Sequence, residues 1–219
     1  MTTYKSTTDA QAFYNVGENL HREVGAFLKY VEKRKEPLHI YSAFLRMLFP
    51  IAESLGDLIY GEDSSTNLYR ILSENYVTCN ETYKEVAALL ICIYRHSLIH
   101  TDTLREIYFE DIKISWSLTP NWLTKGHLEL TGTSHNRLRF VKGGIEKTGE
   151  PYIIHIQFSV KQFYKDTLKV CEQMYKLNKN VNGEIGCRYD HWKTLELKND
   201  TKEKIKKLAI KEIINLMQR

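Results

Sequence analysis

Nowhere does the chain carry about 18 consecutive apolar residues, so no segment reads as a helix that crosses a bilayer. Cysteine is scarce: Cys79, Cys92, Cys171 and Cys187 form no CxxC pair and show no tight spacing. They offer neither a disulfide framework nor a paired-cysteine motif. Cys92 and Cys171 fall in apolar helical patterns, where a free thiol serves as a small hydrophobe. Excess charge of one sign is also small, 31 Lys and Arg against 27 Asp and Glu, for a net charge of +4. A nucleic acid is an acceptable partner for such a chain, but bulk charge does not demand one. Internal repeats and low-complexity tracts are absent, and no signal peptide or lipidation box is read at the start. The expectation is a reduced, cytoplasmic protein with no membrane contact.

What is present suffices for one sizeable core. The 219 residues are 42% hydrophobic and 26% charged, ordinary values for a globular protein, with 14 tyrosines suited to half-buried positions. We read a single domain over residues 1–219.

The first half has helical periodicity. Phe13, Val16, Leu20, Val24, Phe27, Leu28 and Val31 recur at steps of three and four behind Ser/Thr/Asp cap candidates. A more apolar helix follows, which Pro50 is expected to kink or split at Phe49 and Gly61 to stop. A shorter helix starts around Ser64 to Thr66. A fourth begins at a cap on Asn80 or Thr82 and runs to His100. From about 105 to 158 β-branched and aromatic residues alternate with polar ones between Gly, Asn and Pro clusters, predicting two to four short strands. A helix returns with Val160, Phe163, Leu168, Cys171, Met174 and Tyr175 in one stripe. A loop is expected over about 181–194, from Gly183 and Gly186, and a last helix over about 200–218. That helix sets Lys202, Lys204, Lys206, Lys207 and Lys211 against Glu203 and Glu212, as a solvated face or a phosphate-steering surface.

The segment Ile91 to Thr103, ICIYRHSLIHTDT, stands out because it sets Arg95, His96, His100 and Asp102 beside a run that otherwise reads as core. Tyr83, Val86, Leu90, Ile93, Ser97 and His100 share one face of the fourth helix. Arg95 lies five residues before His100, about 140° round an ideal helix. The two converge more easily if the helix frays or widens near Ser97. The residues leave three readings open. Basic groups in a last helical turn complement the macrodipole, with Asp102 pairing or capping. His96 and His100, four apart, offer a zinc site with Asp102, but no Glu base accompanies them and Arg95 would repel a dication. Arg95 can clamp phosphate oxygens in two-pronged fashion while a histidine moves a proton, which suits phosphodiester cleavage without metal.

The run Arg95-His96-Ser97-Leu98-Ile99-His100 resembles the motif of the HEPN superfamily: an Arg, a polar residue, three variable residues and a His near a helix end in an all-α bundle. In organisation the resemblance extends over the helices at about 10–100 and 160–177. It implies a mainly α, HEPN-like helical bundle, here with a small antiparallel β insertion over about residues 105–158. It also implies a metal-independent endoribonuclease, with no cofactor, that acts on single-stranded RNA as a homodimer in defence, antiviral defence included, or stress response. The resemblance makes His100 the proton-transfer residue, Arg95 the ligand of the scissile phosphate and His96 the residue that orients them. It leaves room for an inhibitory protein partner. The alternative is a non-catalytic HEPN-like module that binds nucleotide, RNA or protein.

Other residues carry weaker signals. Arg137, Arg139 and Lys142 in NRLRFVKGG form a basic patch, either an ordinary charged strand face or a hold on an RNA backbone. His127, His135 and His155 are eight and twenty residues apart, a spacing that suggests no metal site, and exposed or hydrogen-bonded roles are their default.

Overall fold

The computed structural model describes residues 7–34, 40–61, 64–96, 107–109, 112–119, 128–133, 138–141, 144–147, 152–179 and 183–193. The protein is mainly helical, with a small sheet. The first helical stretch comprises α1 (Asp9–Leu20), a π-helical turn (His21–Gly25) and α2 (Ala26–Arg34). Thr8 starts it: its extended backbone and its Oγ1, which accepts the Gln11 N–H at 3.2 Å, form an N-cap. The expected stripe points inward at Phe13, Leu20, Val24, Leu28 and Val31, all buried. Phe27 departs from it and is partly exposed, its ring stacked on Phe44 with centroids 4.8 Å apart.

Helix α3 (Ile40–Tyr60) runs through Pro50, where a kink or split was expected. Proline in a helix interior costs about 3 kcal/mol, a lost hydrogen bond included. Here Phe44, Leu45, Leu48 and Phe49 before it, and Ala52, Leu55 and Leu58 after it, are all buried. Both halves are held by one core, and their burial outweighs the local defect. Gly61 ends the helix as expected: at φ +99° it enters the left-handed region, and its N–H reaches Asp57 O at 3.0 Å. Helix α4 (Ser64–Arg70) passes through a π-helical turn (Ile71–Asn75) and a 3₁₀ turn (Tyr76–Thr78). Helix α5 (Thr82–Leu90) opens beside Asn80, whose Oδ1 accepts the Thr82 N–H at 3.0 Å, and continues as a π-helical segment (Ile91–His96).

Six strands follow among the described residues: β1 (Ile107–Phe109), β2 (Ile112–Thr119), β3 (Leu128–Thr133), β4 (Leu138–Val141), β5 (Gly144–Lys147) and β6 (Tyr152–Ser159). The sheet order is β1-β2-β6-β3, and β4-β5 is a separate pair. A purely antiparallel insertion is thereby corrected. The central β2 and β6 are parallel over their full length, Ile112 opposite Tyr152 through Thr119 opposite Ser159. The β1–β2, β3–β6 and β4–β5 pairs are antiparallel. Parallel pairing needs a long return connection, which the chain between β2 and β6 supplies. Inward residues Ile114, Ile156 and Phe158 join the same hydrophobic cluster as the helices.

Strand β6 passes directly into α6 (Val160–Leu177), with Ser159 as N-cap through the Gln162 N–H at 3.3 Å. Phe163 of α6 packs on Phe49, Tyr76 and Phe158 at centroid distances of 5.0, 5.5 and 5.2 Å. Within the expected loop at 181–194 there is instead a helix, α7 (Glu184–Lys193). Asp9 draws it in: its buried carboxylate accepts the Gly186 N–H at 2.7 Å. Arg188 donates to Leu58 O and to Glu184 Oε2, both at 2.8 Å, and Tyr189 is buried. Gly186 is thus a contact glycine, not a loop glycine, since a Cβ there would collide with the Thr7 carbonyl. The expected helix at 200–218 lies outside the described residues.

Candidate functional site

Helix α5 carries the candidate motif. Tyr83, Val86, Leu90 and Ile93 are all buried, so the predicted inner face holds as far as Ile93. Cys92, placed in that apolar pattern by the sequence, is exposed. Beyond Leu90 the helix loosens. Residues Ile91–His96 adopt the π form, whose hydrogen bonds span five residues instead of four. Arg95 and His96 are the last residues of this wide turn, and Ser97 lies outside the described residues. Such turns recur at functional positions in helices. The turn packs on α3, and α5 itself packs on β3. The side chains of Arg95 and His96, and the whole of His100 and Asp102, lie outside the described residues.

A buried polar network anchors the other end of α5 to α6. Tyr83 Oη donates to Asp166 Oδ2 at 3.1 Å, and Gln162 Nε2 donates to Asp166 Oδ1 at 2.9 Å. Next to it Tyr76 Oη donates to Thr167 Oγ1 at 2.9 Å, and Thr167 donates to Phe163 O at 2.8 Å. Burial raises the Asp166 pKa to about 6, because a carboxylate is poorly solvated there. The hydrogen bonds from Gln162 and Tyr83 and the charge of Lys169 act in the opposite direction. Burial likewise holds the Tyr76 and Tyr83 phenols well above their usual range. The sequence reading passed over this network. Its signal is that Asp166 and Thr167 interrupt the apolar stripe Val160, Phe163, Val170.

Of the other predicted residues, Arg139 and His155 lie among the described residues. Arg139 lies on β4, paired with Glu146 across the β4–β5 hairpin, while Arg137 and Lys142 lie outside the described residues. His155 is half-buried on β6 with its Nε2 2.9 Å from Ser117 Oγ on β2, a hydrogen-bonded role. His127 and His135 lie outside the described residues. Among the described residues no three His, Cys, Asp or Glu side chains cluster as a metal ion requires. No described helix is long and apolar enough to cross a membrane.

No family model, curated protein or solved structure matches the chain.

Proposed function

We propose that the protein is a metal-independent endoribonuclease of the HEPN type, working on single-stranded RNA as a homodimer. The observation that carries this reading is the sequence Arg95-His96-Ser97-Leu98-Ile99-His100, which follows on a helix whose inner face is buried as far as Ile93. The π-helical form of Ile91–His96 agrees with it, because such turns recur at functional positions. A mainly helical fold agrees with it.

In the reaction, the RNA 2′-oxygen attacks the adjacent phosphorus. The 2′-O–P bond forms as the P–O5′ bond breaks, giving a 2′,3′-cyclic phosphate and a 5′-hydroxyl. One His100 imidazole takes the 2′-hydroxyl proton, and its twin in the second subunit, entering as imidazolium, protonates the departing 5′-oxygen. The two Arg95 guanidiniums hold the phosphate and stabilise charge growing on its non-bridging oxygens, where preorganised donors contribute most. His96 orients them. Arg139, with Arg137 and Lys142, holds the RNA backbone away from the cut. We assign the activity to the cytoplasm, in defence or stress response.

The test is cleavage of a labelled single-stranded RNA in EDTA, with the product ends identified by their resistance to phosphatase and ligase. Cyclic phosphate ends are expected from the natural chain. Arg95→Ala and His100→Ala should each abolish cutting with the helical circular dichroism unchanged. A gel shift without any cutting would point instead to the non-catalytic binding module. Cutting that survives both substitutions would sink the assignment.

A further inference from the structure

Helices α1 and α6 lie antiparallel, Tyr14 beside Tyr175, Gly17 beside Cys171 and His21 beside Tyr164. Their outer seam is a groove of about 370 Å³. It exists because two small residues meet at its centre: a Cβ on Gly17 would come within 3.4 Å of the Cys171 Cβ. Phe13 and Cys171 are buried beneath it and Leu168 lines it half-buried. At one end the Tyr14 and Tyr175 rings are in tilted contact, at 53° with centroids 6.2 Å apart. Tyr14 is 50% exposed, a large aromatic surface left to solvent.

Two carboxylates stand at the groove's rim. Glu18 and Glu172 both line it. Glu172 is bonded by Lys176 Nζ at 2.6 Å, which offsets its charge. Glu18 makes no side-chain hydrogen bond or ion pair among the described residues, so its charge is uncompensated there. An exposed aromatic ring, whose face carries a negative quadrupole, and a free carboxylate repel anions and attract cations. The volume is at the small end of the range for small-molecule sites.

We propose that this groove is a binding site for a small organic cation, an alkylammonium seated against the exposed Tyr14 ring beside Tyr175, with Glu18 as its counter-ion. It is independent of the RNA chemistry assigned to α5. Nothing in it requires the nuclease reading.

Choline tests it against 3,3-dimethylbutan-1-ol, which has the same shape without the charge. Each is titrated into the full chain and followed by nuclear magnetic resonance. Choline should bind saturably in the millimolar range, with shifts centred on Tyr14, Glu18 and Tyr175, and at least about fivefold more tightly than the alcohol. Tyr14→Ala should weaken choline about fivefold and Glu18→Gln about threefold, with unchanged circular dichroism, since both positions are exposed. Equal binding of the uncharged alcohol would reduce the groove to an apolar crevice. Unchanged choline affinity in Tyr14→Ala, or no saturation below about 100 mM, would likewise overturn the site.

Discussion

The Tyr83 hydroxyl donates to the Asp166 carboxylate at 3.1 Å inside the core, a contact between residues 83 positions apart in the chain. It fastens the helix that carries Arg95 to the helix that follows the sheet. Tyr83 and Gln162 are neutral donors to this carboxylate, with Lys169 as an electrostatic aid.

The first expectation concerns pH. The folded-state pKa of Asp166 is about 6 against an ordinary 3.8, so the folded chain binds this proton more tightly than the unfolded one. The associated stability is fully present below pH 3.8 and is lost as pH rises through about 6. The loss is about 3 kcal/mol at most. Asp166→Asn keeps the shape and an oxygen for Gln162 but carries no charge. It should therefore melt higher than the natural chain at pH 7.5, and the gap should close toward pH 4.5. Paired thermal melts across that range measure it, because other carboxylates cancel in the difference.

Tyr83→Phe removes the donor and leaves the carboxylate less well satisfied. The fold should lose about 1–3 kcal/mol at pH 7.5, read by urea unfolding. The loss should shrink at pH 5, where Asp166 is protonated. An equal loss at both pH values would assign the cost to packing alone.

Gly186→Ala forces a methyl against the Thr7 carbonyl and loosens the hydrogen bond to Asp9. We expect about 1–3 kcal/mol of destabilisation, in the manner of overpacked sites. Amide exchange should accelerate in Glu184–Lys193 before it does in α6.

Pro50→Ala should act the other way. It restores an N–H inside a helix that is already continuous, so stability should rise by about 1–3 kcal/mol. A fall in Tm would mean that the ring fills space no alanine can.

For the proposed cleavage, Arg95→Lys keeps the charge but not the forked donor geometry. It should lower kcat at least about tenfold, with little change in RNA binding. Mixing Arg95→Ala with His100→Ala chains should not restore activity, because a mixed pair keeps only one of the two His100 groups that the proton transfers use. Rates measured at fixed total protein decide it.

Local features were the easiest to read from sequence. Gly61 stops α3 because only its own backbone decides the matter, and Asn80 caps α5 for the same reason. The stripes of α1 and α6 were legible because their period is set by the helix itself. The helix is not split at Pro50, because the proline penalty is local while the burial that outweighs it comes from residues on both sides. Gly186 looked like a loop residue because the Thr7 carbonyl that excludes a side chain there lies at the other end of the chain. Parallel pairing of β2 with β6 cannot be deduced from alternation, which is identical in either direction. Of the candidate site, the inner face of α5 was legible as far as Ile93. Its loosening into a π turn has no periodic signature, and Asp166 was hidden because a lone polar residue in a stripe looks like noise.

The core of the helical half is completed late. Tyr76, Tyr83 and Phe49 are made early, yet the Phe163 ring they pack on arrives only with α6. At about 5–20 residues per second, a ribosome needs roughly 4–16 s to cover that interval. Throughout it the emerging helices present an open apolar face with no filler. Chaperone engagement of nascent chains should be strongest in that interval and should end once α6 has cleared the exit tunnel.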